Sequence, residues 1–240
     1  MTATIVLVHG AWHGAWCWDR LTPLLDDAGV ASIAVDLPGH GNDPGPFTDL
    51  HGDADRVRAV LDGVDGDVVL VGHSYGGCVI TDAGAHPDVR HLVYVAAFPL
   101  QADESAANAA AELAAAEGVE TPELGLANAM QIGDDGMCTL AADGVAAYLY
   151  NTCDAETQAW AARQLCPQPL ATFTQTPRAV AWRERPSTYM LCEQDLGVPA
   201  ALQRILARRC TNTVTLPTDH SPFAGRPDLV APTLIDLARN

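Results

Sequence analysis

The sequence of 240 residues contains no lysine; all thirteen of its basic residues are arginine. That single absence removes phosphate-gripping lysines of nucleotide-binding loops, Schiff-base lysines and lysine general bases together. Positive charge is scarce altogether. Thirteen Arg against thirty Asp and Glu leave a formal net charge of −17, which excludes nucleic acid and anionic membrane as partners. Long apolar runs are missing too, since none approaches the roughly 18 residues that span a bilayer. No basic segment precedes the first hydrophobic run, "TIVLVHG", which reads as a core strand rather than a secretion signal and predicts a cytoplasmic protein. The seven cysteines (Cys17, Cys78, Cys138, Cys153, Cys166, Cys192 and Cys210) show no CxxC and no paired Cys/His spacing. An odd, scattered set of this kind predicts free thiols in a reducing compartment and no zinc site.

What is present is an alternation of two textures. "ATIVLVHG", "ASIAVDLPGHG", "DVVLVGHS" and "RHLVYVAAF" are continuous apolar runs ending in turn residues, the pattern of strands buried on both faces. Between them, "WDRLTPLLDDAG", "DADRVRAVLDGV" and "GCVITDAGAHPD" have helical spacing with Gly or Pro stops. Strand and helix in alternation predict an α/β fold, a mostly parallel sheet with right-handed crossovers and helices on both faces. After Pro99 the texture changes to an alanine-rich helix, "ESAANAAAELAAAEG", a hairpin around Asp-Gly in "MQIGDDGMCTL", and a helix in "DAETQAWAARQL". No buried-strand run returns until "STYMLCEQD". The chain therefore divides into an α/β core, residues 1–99 and 186–240, and a mainly helical cap inserted at residues 100–185.

"GHSYGG" lies between a strand signal and a helix signal. G-x-S-x-G in that context turns the serine sharply out of the fold, with glycines where side chains would collide with strand and helix. Ser74 is thus the candidate nucleophile. A serine hydroxyl needs a general base, and the base needs a carboxylate to orient it. Seven of the eight histidines lie at or before His91; His220, after the strand-like "TVTLP", is the candidate base. The acid belongs at the end of the preceding strand, where Asp195 is preferred and Glu193 is the alternative. Asp219 adjoins His220 too closely in sequence to reach its outer ring nitrogen, and reads as a residue that shapes the loop. For the oxyanion, one backbone N–H is expected from Tyr75. The other should come from the loop after the first strand, with Ala11 first and Trp12 second. His9, His13 and His73 read as loop-fixing residues rather than metal ligands.

Together, "VLVHGAWHGAWCW", "DLPGHG", "GHSYGG", "LVYVAAFPL", "YMLCEQDLGVP" and "DHSPF" resemble the α/β-hydrolase superfamily. The branch they resemble is that of plant methylesterases and hydroxynitrile lyases with their bacterial esterase-like relatives. The resemblance implies Ser74, Asp195 and His220 as a triad, Ala11 and Tyr75 at the oxyanion hole, and six parallel strands in the order 2-1-3-4-5-6. Two departures bear on the reaction. Lyases of the family carry a lysine directly after the catalytic histidine, to handle cyanide, and this chain has Ser221 there. They also lack a glycine after the first histidine, where this chain has Gly10. Asp219 stands where relatives often have glycine.

The expected activity is that of a carboxylesterase working through an acyl enzyme, with no metal and no organic cofactor. Trp12, Tyr75, Phe98, Tyr148 and Trp160 are candidate pocket residues, which predict a small apolar or aromatic substrate. The alternatives are a lyase, dehydratase or cyclase step on a secondary metabolite with the same Ser/His pair, and a non-catalytic ligand-binding protein. Beyond the substrate, the one partner kept open is a second copy of the chain in a homodimer.

Overall fold

A computed structural model describes residues 2–117 and 125–240 of the chain. The chain opens with β1 (Thr4–Val8), a 3-10 turn at Ala15–Trp18, α1 (Thr22–Asp27) and β2 (Ser32–Val35). It continues with α2 (Leu50–Leu61), β3 (Val68–His73), α3 (Gly76–Ala83) and β4 (Val89–Val95). The chain then leaves the sheet for α4 (Ala106–Glu117), α5 (Gly125–Ala129), β5 (Met130–Ile132) and β6 (Met137–Leu140). After these come α6 (Ala142–Gly144), a π-helical turn at Val145–Leu149, α7 (Ala155–Ala162), β7 (Gln168–Pro169) and α8 (Ala171–Thr174). It returns through β8 (Ser187–Cys192), α9 (Ala200–Ala207), β9 (Asn212–Leu216), α10 (Pro222–Gly225) and α11 (Pro227–Arg239).

The main sheet has the order β2-β1-β3-β4-β8-β9, and every pairing in it is parallel. Counting only its own strands, this is the expected 2-1-3-4-5-6. Its inner strands β1, β3 and β8 are almost wholly buried because both faces are covered, whereas the edge strands β2 and β9 are partly exposed. Val6, Val8, Leu70, Leu92, Tyr94 and Leu191 pack with α2, α3 and α9 on one side. Their sequence neighbours Ile5, Leu7, Val69, Val71, Val93 and Met190 pack with α1 and α11 on the other. This two-sided burial is what the continuous apolar runs encode.

Between β4 and β8 the chain is helical, as expected, but it also forms a small antiparallel sheet, β5-β6-β7. The β5–β6 hairpin falls on the Asp-Gly signal, with Gly136 at φ +76°. The two-residue β7 was not anticipated; Gln-Pro carries no strand pattern. The expected alanine-rich helix is α4, and its C-terminal Gly118 lies outside the described residues. All seven cysteines are free thiols. Among the described residues, no helix is long and apolar enough to cross a membrane.

Strand order reverses between β1 and β3, which lie side by side while their connections run to opposite edges of the sheet. In open parallel sheets the crevice at such a reversal, beyond the carboxyl ends of the strands, is where ligands bind. Ser74, His220 and the loop after β1 all lie at that edge.

Candidate active site

β3 ends at His73, and the next residue, Ser74, has φ +50°, a conformation rare for any side chain other than glycine. Strain of this kind persists only where the surroundings impose it. A Cβ on Gly72 would lie 2.5 Å from the carbonyl oxygen of Gly76, and one on Gly76 would lie 2.6 Å from that of Val8. Only glycine lets strand, turn and helix α3 approach so closely. Gly10 is equally constrained, since a Cβ there would meet His73 Nδ1 at 2.7 Å and Ser74 Cβ at 3.0 Å. The loop after β1 and the serine turn are therefore packed directly on each other.

The loops after β8 and β9 are tied together by backbone hydrogen bonds from Glu193 N–H to Leu216 O (2.9 Å) and from Gln194 N–H to Thr218 O (2.9 Å). That pairing brings His220 Nδ1 to 2.7 Å from Asp195 Oδ2, with both side chains buried. The Asp195 carboxylate has a full set of donors. Oδ1 accepts the N–H groups of Gly197 (2.7 Å) and Val198 (2.8 Å), and Oδ2 also accepts Gln203 Nε2 (2.7 Å). Burial pushes the Asp195 carboxyl up, while His220 and the two backbone N–H groups pull it down. Glu193, the alternative acid, is 49% exposed and faces Arg204 at 3.8 Å, whereas the Asp195 side chain is fully buried on His220. No hydrogen bond joins Ser74 Oγ to His220, whose carbonyl is held instead by the ring of His73. Its Nε2–H donates to the His220 carbonyl (2.9 Å), and the two imidazoles lie 4.6 Å apart.

The loop after β1 is oriented by histidines whose protons are fixed by their partners. The Leu37 N–H donates to His9 Nε2 (3.1 Å), so Nδ1 carries the proton and donates to Gly10 O (2.8 Å). This pins the carbonyl of the Gly10–Ala11 peptide, and the Ala11 N–H therefore points the other way. His13 Nδ1–H donates to Ala11 O (2.8 Å), and its Nε2 accepts the Tyr150 hydroxyl (2.8 Å). Among the described residues, the backbone N–H groups of Ala11 and Tyr75 donate to no acceptor. The Trp12 N–H, the second choice for an oxyanion donor, is already given to Gln168 Oε1 (3.1 Å) and is not available.

Burial lowers the three loop histidines, His9 and His73 well below the ordinary 6.5 and His13 to about 4. All three are neutral in the folded protein at neutral pH. Because the folded values are depressed, the unfolded chain binds protons below pH 6.5 that the folded chain refuses, and stability falls as pH drops. Each such histidine costs about 1.4 kcal/mol per pH unit in that window. Urea denaturation should therefore show roughly 4 kcal/mol less stability at pH 5.5 than at pH 7.5. The raised carboxyls of Asp53 and Asp195 offset part of the loss at the acid end of the window. A flat profile between those two pH values would contradict the neutral buried set.

The candidate pocket residues divide. Trp12 is buried, with its indole Nε1 donating to Cys138 O (3.0 Å) and its ring 5.8 Å from that of Phe173. The Tyr75 ring faces the same Phe173 at 5.9 Å, while its hydroxyl donates to the buried carboxyl of Asp53 (2.7 Å). Phe98 is half-buried against the core below α3, and Tyr148 is half-buried with its carbonyl 3.0 Å from where a Cβ on Gly197 would stand. Trp160 lies edge-on at 5.1 Å to Trp16, whose ring stacks on His13 at 5.3 Å, and under the Arg20 guanidinium at 5.2 Å. Sequence reasoning missed Phe173, Gln168 and Gln203. Only Gln203 carries a signal, as the polar member of the buried face formed by Leu202, Ile205 and Leu206 on α9. Asp219 ties the segment between β4 and β8 to the His220 loop, its Oδ2 accepting Thr152 N–H (2.9 Å) and its Oδ1 accepting Ser221 N–H (3.0 Å). Among the described residues, no three His, Cys, Asp or Glu side chains are grouped to hold a metal ion.

The Alpha/beta hydrolase family matches residues 5–233. The chain belongs to that family. It is similar to the alpha/beta hydrolase nvfD of Aspergillus novofumigatus, 30% identical over 94% of this chain and 92% of that one. The carbendazim hydrolyzing esterase of a Nocardioides species is 35% identical over 71% of each chain. The plant branch appears as well, over shorter stretches. The Arabidopsis thaliana methylesterase MES16 matches 40% of the chain, and an alpha-hydroxynitrile lyase of the same plant matches 39%. Crystalline polyneuridine aldehyde esterase shares the fold, with a TM-score of 0.85 at 21% identity over 99% of this chain and 100% of that one.

Proposed function

We propose that this α/β hydrolase is a carboxylesterase acting on a small ester with an apolar or aromatic part. The observation that carries the reading is the buried His220–Asp195 pair, 2.7 Å apart, beside a serine held at φ +50° on a strand-to-helix turn. Ser74 attacks the ester carbonyl while His220 Nε2 takes its proton. Asp195 holds the ring through Nδ1–H and stabilises the imidazolium. The unpartnered N–H groups of Ala11 and Tyr75 receive the developing oxyanion. His220 then returns its proton to the leaving alcohol, and water, activated by the same ring, releases the acid. The esterases among the relatives support this class of reaction.

The rival reading is a lyase step, and the relatives include a hydroxynitrile lyase. The surroundings of His220 disfavour it. Ser221 is neutral and buried, and Asp195 and Asp219 lie on the same two loops. A neutral hydrogen bond is worth about half a charge-assisted one, so departing cyanide loses roughly 1–2 kcal/mol of stabilisation relative to a site with a cation there. The test offers p-nitrophenyl and aryl esters beside mandelonitrile, with Ser74→Ala as control. Ester turnover that depends on Ser74, without cyanide release, is expected. Ser74-dependent cyanide release without ester turnover would replace the esterase reading with the lyase.

A further inference from the structure

On the reading that Ala11 N–H receives the oxyanion, we infer that Gln168, a cap residue, is a positioning residue that holds the oxyanion loop in its working geometry. Trp12 follows Ala11 directly and has φ +66°, a conformation bulky residues adopt only under constraint. The constraint comes from the cap. The Trp12 N–H donates to Gln168 Oε1 (3.1 Å), its carbonyl accepts Cys166 N–H (2.9 Å), and its indole is tied to Cys138.

The amide of Gln168 is itself fixed in orientation. Its Nε2 donates to Thr172 Oγ1 (3.0 Å), whose hydroxyl is spent on Pro169 O (2.7 Å) and can only accept. Oε1 is therefore the atom turned toward Trp12 and toward His40 Nε2 (2.9 Å). Gln168 is fully buried, which leaves no room for solvent to replace it. Trp12 N–H belongs to the same rigid peptide unit as Ala11 C=O, and that carbonyl is held by His13, which the cap residue Tyr150 holds in turn. Both ends of the Ala11–Trp12 peptide are thus set by side chains from β7 and from the end of the π-helical turn. The Ala11 N–H, one peptide earlier, is aimed by His9 through Gly10 O, and the fixed Ala11–Trp12 peptide holds the loop on its other side, so that Ala11 is clamped between two set peptide planes.

Loss of one oxyanion donor commonly costs on the order of 10² to 10³ in kcat, and misaiming one by a fraction of an ångström costs less. The full chain is assayed on p-nitrophenyl acetate, with a trifluoromethyl ketone as the tetrahedral analogue. Gln168→Leu should lower kcat by about 10- to 100-fold with KM nearly unchanged, and weaken the ketone by a similar factor. Gln168→Asn, which keeps the amide but draws it back by one methylene, should fall in the same sense and decides the matter if the leucine variant does not fold. Gln175→Leu is the control, because Gln175 makes a similar cap-to-core pair with Leu50 N–H and Asp49 (2.9 Å each), away from the serine turn. It should keep the wild-type kcat. Wild-type kcat in folded Gln168→Leu or Gln168→Asn, or equal losses in Gln168→Leu and Gln175→Leu, would overturn the inference. Ser74→Ala in the same assay separates the two levels. Near wild-type turnover there removes the esterase reading and this inference with it, whereas a Ser74→Ala variant slowed by about 10³-fold beside a fully active Gln168→Leu removes the inference alone.

Discussion

Ser74→Ala and His220→Ala should each lower kcat on p-nitrophenyl acetate by about 10³-fold or more, and the double variant should lose little beyond either single one. On the proposed mechanism the two side chains act as one device. Without the ring, the serine keeps its proton; without the hydroxyl, the ring has no nucleophile to activate. What remains is the contribution of the Ala11 and Tyr75 N–H groups and of substrate binding, which neither substitution touches. His220→Ala removes a buried ring packed on His73, so its melting temperature must be followed alongside its rate. Multiplicative losses, as for two independent residues, would show that Ser74 and His220 do not work together.

Asp195→Asn should be nearly as damaging, on the order of 10³ to 10⁴ in kcat, and the hydrogen-bond pattern shows why. The Oδ1 position accepts two backbone N–H groups, from Gly197 and Val198, so an asparagine must set its carbonyl oxygen there. Its NH2 then occupies the Oδ2 position, facing Gln203 Nε2 and His220 Nδ1. Donor meets donor at Gln203. At His220 the ring is driven to the tautomer with the proton on Nε2, which cannot accept the proton of Ser74. Glu193→Gln, on an exposed side chain, should be mild by comparison. The reverse ranking would assign the acid to Glu193.

Much of this arrangement was legible in the sequence because its determinants are local. "VVLV" and "YMLC" are uninterrupted apolar runs because β3 and β8 are buried on both faces. The glycines at positions 72 and 76 announce a turn that tolerates no side chains, and His220 was singled out by the emptiness of the second half of the chain. The sequence preferred Asp195 to Glu193 only for its place where the strand opens into a loop; that Asp195 is buried on His220 while Glu193 is half-exposed appears only in the fold. What stayed hidden depends on contacts between distant segments. Gln168 meets Trp12 across 156 residues, from a two-residue strand with no period of its own. The protons on His9 and His13 follow from carbonyls and a tyrosine that no local pattern identifies. The contact of Trp160 with the Trp16 ring was hidden for a similar reason, since an aromatic residue on a helix reads the same whichever neighbour it faces. Asp219 looked like an anomaly beside His220, and its role emerges only with Thr152 of the cap opposite it.

The most direct test of the account is a rapid-mixing experiment with p-nitrophenyl acetate followed by acid quench and peptide mass spectrometry. The account predicts a burst of p-nitrophenol of about one equivalent per chain wherever deacylation is the slower step, and an acetyl group on the peptide that carries Ser74. Steady turnover with no acetyl group on Ser74, in wild-type enzyme and with deacylation slowed by cooling or by a bulkier acyl group, would contradict it.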